Sequence, residues 1–422
     1  MKQLYQDYQA ILHEELVLAS GCTEPIAIAF LAATCKELMD DPIERVLIKC
    51  SGNVIKNVKS VIIPNTKNEK GIKAACIAGL IAGDASKKME VIENVSDQQI
   101  EQIQAEMKKD YIYIECLPDE ANLSIKIKLQ SANHEVTGEL MHTHTNITFL
   151  KKDDQILIKN ECDKTNFNSV LIDRSILNIE DIIDFANNVP LDNISCLLKK
   201  QIEVNLSIAK EGFINNYGVQ VGKTLYKSHK DIFLKCISYA ASASDARMGG
   251  CKLPVMTNSG SGNQGITCSL PLIVYAKEYN HNEEQLLRSL IVANLITVHL
   301  KTGIGRLSAY CGVVCAACAS FAAIAHLNNY DIEIIKKVIT NSLATSSGII
   351  CDGAKASCAT KISTALFSSL LAYQLAVNDL SFEPGCGIVQ ENIEDTIKAV
   401  GIIGREGMKQ TDEIVLDIMT KK

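Results

Sequence analysis

Sixteen cysteines stand in this chain of 422 residues, and three are placed where thiolates could act together. Tyr310-Cys311-Gly312 opens one predicted helix. Ile350-Cys351-Asp352-Gly353-Ala354-Lys355-Ala356-Ser357-Cys358 lies further on. Cys351 and Cys358 flank a glycine-bearing turn that begins another helix, so both sulfurs can face one point. Helix starts and exposed backbone N–H groups stabilise the negative charge of a thiolate-ligated iron–sulfur cluster. Three thiolates would leave one iron open to substrate. The plainer reading is small buried residues, since cysteine behaves as a small hydrophobe and this spacing matches no common ferredoxin or zinc signature. Cys315 and Cys318 follow Cys311 at helical intervals, and core packing accounts for both.

Cys22 suggests a different role. It precedes Thr23-Glu24-Pro25 and the apolar run Ile26 to Ala33, and proline suits the first turn of a helix. A thiol just ahead of a helix N-terminus is expected to be more acidic than a free one. The stretch Met256 to Gly265 is rich in glycine and amides. Its backbone N–H groups can approach a carboxylate or phosphate, with Ser261, Asn263 and Gln264 as binding candidates; a plain surface turn is the competing reading. No Lys-Ser/Thr follows, which argues against a nucleotide P-loop. Arg306 can pair with a substrate carboxylate or serve a structural ion pair, and Arg405 carries the same ambiguity. His142-Thr143-His144 could offer a zinc pair but lacks a third ligand nearby. His144 is retained as a substrate-side candidate. No lysine stands in a cofactor-box setting, so pyridoxal phosphate is not expected.

Such groups need a frame, and the periodicities supply one. Residues 1–41 read as N-terminal helices belonging to the catalytic domain, with apolar positions at Leu4, Tyr8, Ile11 and Leu12. Residues 42–160 read as an inserted α+β domain. Its strands are expected near Val46-Leu47-Ile48, Val61-Ile62-Ile63, Tyr111 to Ile114 and Leu123 to Leu129, with helices over 71–83 and 96–107. Residues 161–190 are polar and mixed, a connection. Residues 191–422 are helix upon helix, expected over 194–210, 229–247, 283–299, 308–327, 331–345 and 358–376, with glycine-containing turns between them. The fold class is α+β: a mainly helical catalytic domain with an inserted smaller α/β-sheet domain.

Composition narrows the function classes. With 47% apolar and 22% charged residues, wholesale disorder is excluded. A net charge of −7 and the lack of any basic block argue against a nucleic-acid partner. The uncharged run Cys311 to Tyr330 is made mostly of alanine, cysteine and serine, a buried helix rather than a membrane span. The start Met1-Lys2-Gln3 leads into a charged amphipathic stretch, so a cytoplasmic protein with reduced thiols is expected.

Taken together, seven stretches resemble the L-cysteine desulfidase family, related to the α chain of bacterial iron–sulfur L-serine dehydratases. They are Gly21-Cys22-Thr23-Glu24-Pro25, Arg247-Met248, Leu253-Pro254-Val255-Met256, Gly260-Ser261-Gly262-Asn263-Gln264-Gly265, Gly305-Arg306-Leu307-Ser308, Cys351-Asp352-Gly353-Ala354-Lys355 and Gly404-Arg405-Glu406-Gly407-Met408. The resemblance implies a 4Fe–4S lyase that releases sulfide and ammonia from L-cysteine and leaves pyruvate. Carried over by position, Cys311, Cys351 and Cys358 are the cluster ligands and Cys22 the proton-abstracting base. The sequence departs from the family pattern at Cys251, Cys268, Cys315, Cys318 and Cys386, and Cys386, between two glycines, stands as the rival ligand. The competing functions are an L-serine dehydratase with the same cluster and a non-catalytic amino-acid-binding protein on the same fold. The expected partner is a small amino-acid substrate, and a homo-oligomer is left open.

Overall fold

The computed structural model describes residues 3–117, 121–164, 166, 168–228 and 231–420. Residues 1 and 2, in the stretch read as N-terminal helices, and the first two positions of the helix expected over 229–247 lie outside the described residues. Two hydrophobic cores organise the chain, one under a sheet and one among helices.

The sheet has six strands: β2 (Arg45–Ser51), β3 (Ile112–Leu117), β4 (Ser124–Gln130), β5 (Glu135–Met141), β6 (Ile147–Lys152) and β7 (Gln155–Lys159). Their order is β3-β2-β4-β5-β6-β7, and only β2 and β3 run parallel. Alternation fixes the buried face: Val46, Ile48 and Cys50 of β2 point inward with Ile125, Ile127 and Leu129 of β4. Val61-Ile62-Ile63 is not a strand. Ile62 makes one bridge to Lys70, because Pro64 follows and Asn65, Lys67 and Asn68 take positive φ, turning the chain back.

The two N-terminal helices part company. Gln3–Glu15 packs into the helical core, whereas Thr23–Lys36 packs against β4, β5 and the helix Gly71–Ala82. This differs from grouping all of 1–41 with the helical part. The second helix is apolar on every side, from Ile26 to Ala33, and needs cover all round. The polar stretch 161–190 is likewise more than a connection. It carries the helix Ile179–Asn188, whose Ile179, Ile182, Ile183 and Phe185 enter the helical core at a helical period.

In the helical part, Val313–Leu327 runs through the middle. Against it pack Gly262–Glu278, Glu283–Thr302, Ile332–Ser346 and Cys358–Val377. Its alanines and cysteines are small enough to let four neighbours approach. A two-stranded sheet joins β1 (Leu18–Ser20) to β8 (Pro254–Met256), which sets the chain before Cys22 beside the chain before Gly260. The architecture is α+β. Among the described residues, no helix is long and apolar enough to cross a membrane.

Candidate active site

Three local devices converge. The β1–β8 pair delivers Cys22 and the 256–265 loop. An antiparallel bridge between Tyr310 and Ile350 brings the next residue of each, Cys311 and Cys351, to one place. Cys311 N–H donates to the Ile349 carbonyl at 3.0 Å and Cys351 N–H to that of Ala309 at 2.6 Å. Gly353 then turns the chain with φ of +90°. A Cβ there would lie 2.5 Å from the Lys56 carbonyl, so only glycine lets this turn seat against the sheet unit.

The result is a cavity of about 90 Å³, room for a small molecule. Nine candidates named from sequence line it: Cys22, His144, Ser261, Asn263, Gln264, Arg306, Cys311, Cys351 and Cys358. Gly260 is part of the same wall. With φ of +74° and a would-be Cβ 2.6 Å from an Arg306 nitrogen, it lets the arginine lie on the loop. Cys386 is exposed in a turn away from this cavity, and Cys268, Cys315 and Cys318 are buried in helices. Arg405 pairs with Glu406 at the surface. The His142 ring meets the Asp163 carbonyl at 2.7 Å instead of pairing with His144.

Electrostatics separates the thiols. Cys311 and Cys351 interact: the neighbouring Cys351 thiol and burial raise Cys311 well above the ordinary value. Cys351 is lowered to about 6 by the neighbouring Cys311, with help from Lys56, the Gly353 N–H and Lys361. Burial raises Cys358, opposed by the Lys355 N–H, which reaches its sulfur at 3.4 Å. Cys22 corrects the sequence expectation. It does sit at the N-cap of Thr23–Lys36, yet burial pushes it up to about 12 despite Arg247. Desolvation outweighs the helix dipole. Burial also drives His144 down to about 4, so its imidazole is neutral at pH 7, and its Nε2 has no hydrogen-bond partner.

The model of the serine dehydratase alpha chain matches residues 86–417. The chain belongs to the serine dehydratase alpha chain family. A UPF0597 protein of Treponema denticola is 43% identical over 426 residues, covering 100% of this chain and 99% of its own length. One of Fusobacterium nucleatum is 45% identical, covering 97% and 98%, and one of Finegoldia magna 42%, covering 99% and 100%.

Against this serine dehydratase background, several cavity residues were not named as site residues from sequence. Arg247 is buried with its Nε lacking a hydrogen-bond partner. Glu24, Lys301 and Lys361 also line the cavity. Arg247 and Glu24 lay inside the family-like stretches, and charges amid small apolar residues were the available signal. Arg306 is held by Glu15 at 3.0 Å, and Glu15 by Arg174 at 2.9 Å, a pairing across the chain that no local pattern marks.

The donor set suits a thiolate-bound anionic cluster. Three thiols share one cavity, and Lys56, Lys361 and Arg247 place positive charge around them. Among the described residues, no three His, Cys, Asp or Glu side chains close on one point as a single metal ion requires. A cluster asks for a wider set, since separate irons take separate thiolates.

Proposed function

We propose that this chain is an iron–sulfur lyase that eliminates hydrogen sulfide from L-cysteine, leaving pyruvate and ammonia. The observation that carries the reading is one cavity lined by Cys311, Cys351, Cys358 and Cys22 together with arginine, imidazole and amide groups. Cys311, Cys351 and Cys358 would hold a 4Fe–4S cluster. When bound, such a cluster supplies an open iron as Lewis acid for a poor leaving group.

The chain's own residues supply the rest. Ser261, Asn263, Gln264 and Arg306 orient the substrate carboxylate, and Arg247 offers a further donor. Removal of the Cα proton and loss of HS⁻ yields an enamine, which tautomerises and takes up water to give pyruvate and ammonia. Two groups can accept that proton. Cys22 is the family-based choice, but its raised pKa makes it a thiol at rest, so it must first lose its proton. His144, neutral and with an unpartnered Nε2, accepts a proton directly at neutral pH. That observation favours His144 as a second reading of the base.

The family description favours a second substrate, L-serine, with hydroxide as the leaving group. Anaerobic iron and sulfide analysis, coupled to pyruvate assays on cysteine, serine and threonine, tests all of this. Cluster-loaded protein fastest on cysteine supports the proposal. Preference for serine moves it to the dehydratase. Reconstituted protein with neither iron nor turnover supports a binding protein on this fold.

A further inference from the structure

We propose that Glu24 recognises the substrate's α-ammonium group and thereby selects 2-amino acids over 2-hydroxy acids. The inference rests on the reading of the cavity as an amino-acid site and adds the group that reads the amine. Among the described residues, Glu24 is the one carboxylate lining the cavity, which also presents Arg247, Lys301, Arg306 and Lys361. It is only 8% exposed. No cation stands within ion-pairing distance of it among the described residues, whereas Arg306 and Lys361 have carboxylates of their own in Glu15 and Asp352. A buried carboxylate without a counter-charge favours a ligand that brings one.

Its orientation is already set. Asn57 Nδ2 donates to Oε1 at 2.9 Å, and the Thr23 hydroxyl to Oε2 at 3.1 Å. Two ionised oxygens offer about four acceptor sites, so two neutral donors leave room for an ammonium. It stands in the first turn of Thr23–Lys36, a position that suits an acidic side chain. Glu24 also lies close enough to Cys22 and His144 to act electrostatically on both. An ammonium on Glu24 therefore puts the neighbouring Cα beside the two candidate proton acceptors. A zwitterion meets complementary charge at both ends, while a hydroxy acid leaves Glu24 unmatched.

Calorimetric titration of the anaerobically purified full chain with L-alanine and L-lactate tests this, because neither carries a leaving group. The wild type should bind L-alanine about tenfold or more tighter, the cost of one unmatched charged partner. Glu24→Gln should abolish that preference with unchanged iron content and melting midpoint, and Glu24→Asp should keep part of it. If the Gln variant fails to fold, loss or retention of the preference in Glu24→Asp relative to Asn57→Ala decides: Asp retaining more supports the proposal, equal loss overturns it. A preference that survives Glu24→Gln, or a wild type binding the two acids equally or not at all, overturns it too. Absence of pyruvate from cysteine and serine with a Glu24-dependent alanine preference would sink the lyase reading alone.

Discussion

The Tyr310–Ile350 bridge holds Cys311 and Cys351 in one place, and the interaction between their thiols raises the first and lowers the second. One sulfur is thereby favoured as thiolate before any metal arrives, with Lys56 and Lys361 supporting it. Cys358 joins from the first position of its helix. Cys351→Ser and Cys358→Ser should each abolish iron incorporation, whereas Cys315→Ser, at a residue buried in the first turn of Val313–Leu327 and outside the cavity lining, should leave it nearly intact. Iron and acid-labile sulfide per chain check this. Normal iron in Cys351→Ser would end the ligand assignment.

The proton acceptor separates by mutation and pH. If Cys22 is the base, Cys22→Ala keeps the iron and loses turnover, and wild-type activity climbs toward alkaline pH because the thiol sits at about 12. If His144 is the base, His144→Asn loses turnover. Activity then stays level through neutrality and falls only as pH drops toward about 4, where the imidazole takes up its proton. A pH–rate profile for each protein, with iron measured alongside, distinguishes the two.

His326 gives a stability test away from the cavity. Burial, with Arg288 nearby, lowers it from 6.5 to about 4; its ring nitrogens meet the Ser289 hydroxyl and the Asn187 amide oxygen, each at 2.8 Å. A histidine depressed in the folded state binds its proton more readily when unfolded. Its contribution is therefore full above pH 6.5 and is lost as pH falls toward 4, by up to about 3 kcal/mol. His326→Asn should show a shallower fall in melting midpoint over that window than the wild type. Parallel curves would show that His326 does not contribute this term.

The site was more legible in the sequence than the packing around it. Short stretches such as Cys351 to Cys358 and Gly260 to Gly265 carry their chemistry locally, in residue type and spacing, and the structure brings both to one cavity. What stayed hidden depends on contacts between distant segments. The helix Thr23–Lys36 gave no sign of which core it would join, because an apolar surface on all sides names no partner. The helix Ile179–Asn188 was obscured by its polar neighbours. The acidity of Cys22 was misjudged because helix position can be read from sequence, whereas depth of burial cannot. Arg174, Glu15 and Arg306 became a chain only once 161–190 folded back over the first helix.

The C-terminal helix supplies the last test. Asp412, on Lys409–Thr420, pairs with Lys56, whose side chain is 1% exposed, and accepts the Ala309 N–H at 2.8 Å. One carboxylate thus ties the sheet unit to the strand-like segment leading into Cys311. Asp412→Ala leaves a buried ammonium without its counter-charge, which costs about 3–5 kcal/mol and should lower the melting midpoint by several degrees. Asp412→Asn still accepts from Ala309 but removes the charge. If the Ala309 tether positions Cys311, Asp412→Asn should retain more iron than Asp412→Ala even though both are destabilised. Exchanging the pair together, as Lys56→Met with Asp412→Leu, should recover stability, since no charge is then left buried, while iron content stays low because Ala309 has lost its acceptor. Recovery of both in the double variant would assign the pair to stability alone and remove Asp412 from the positioning of Cys311.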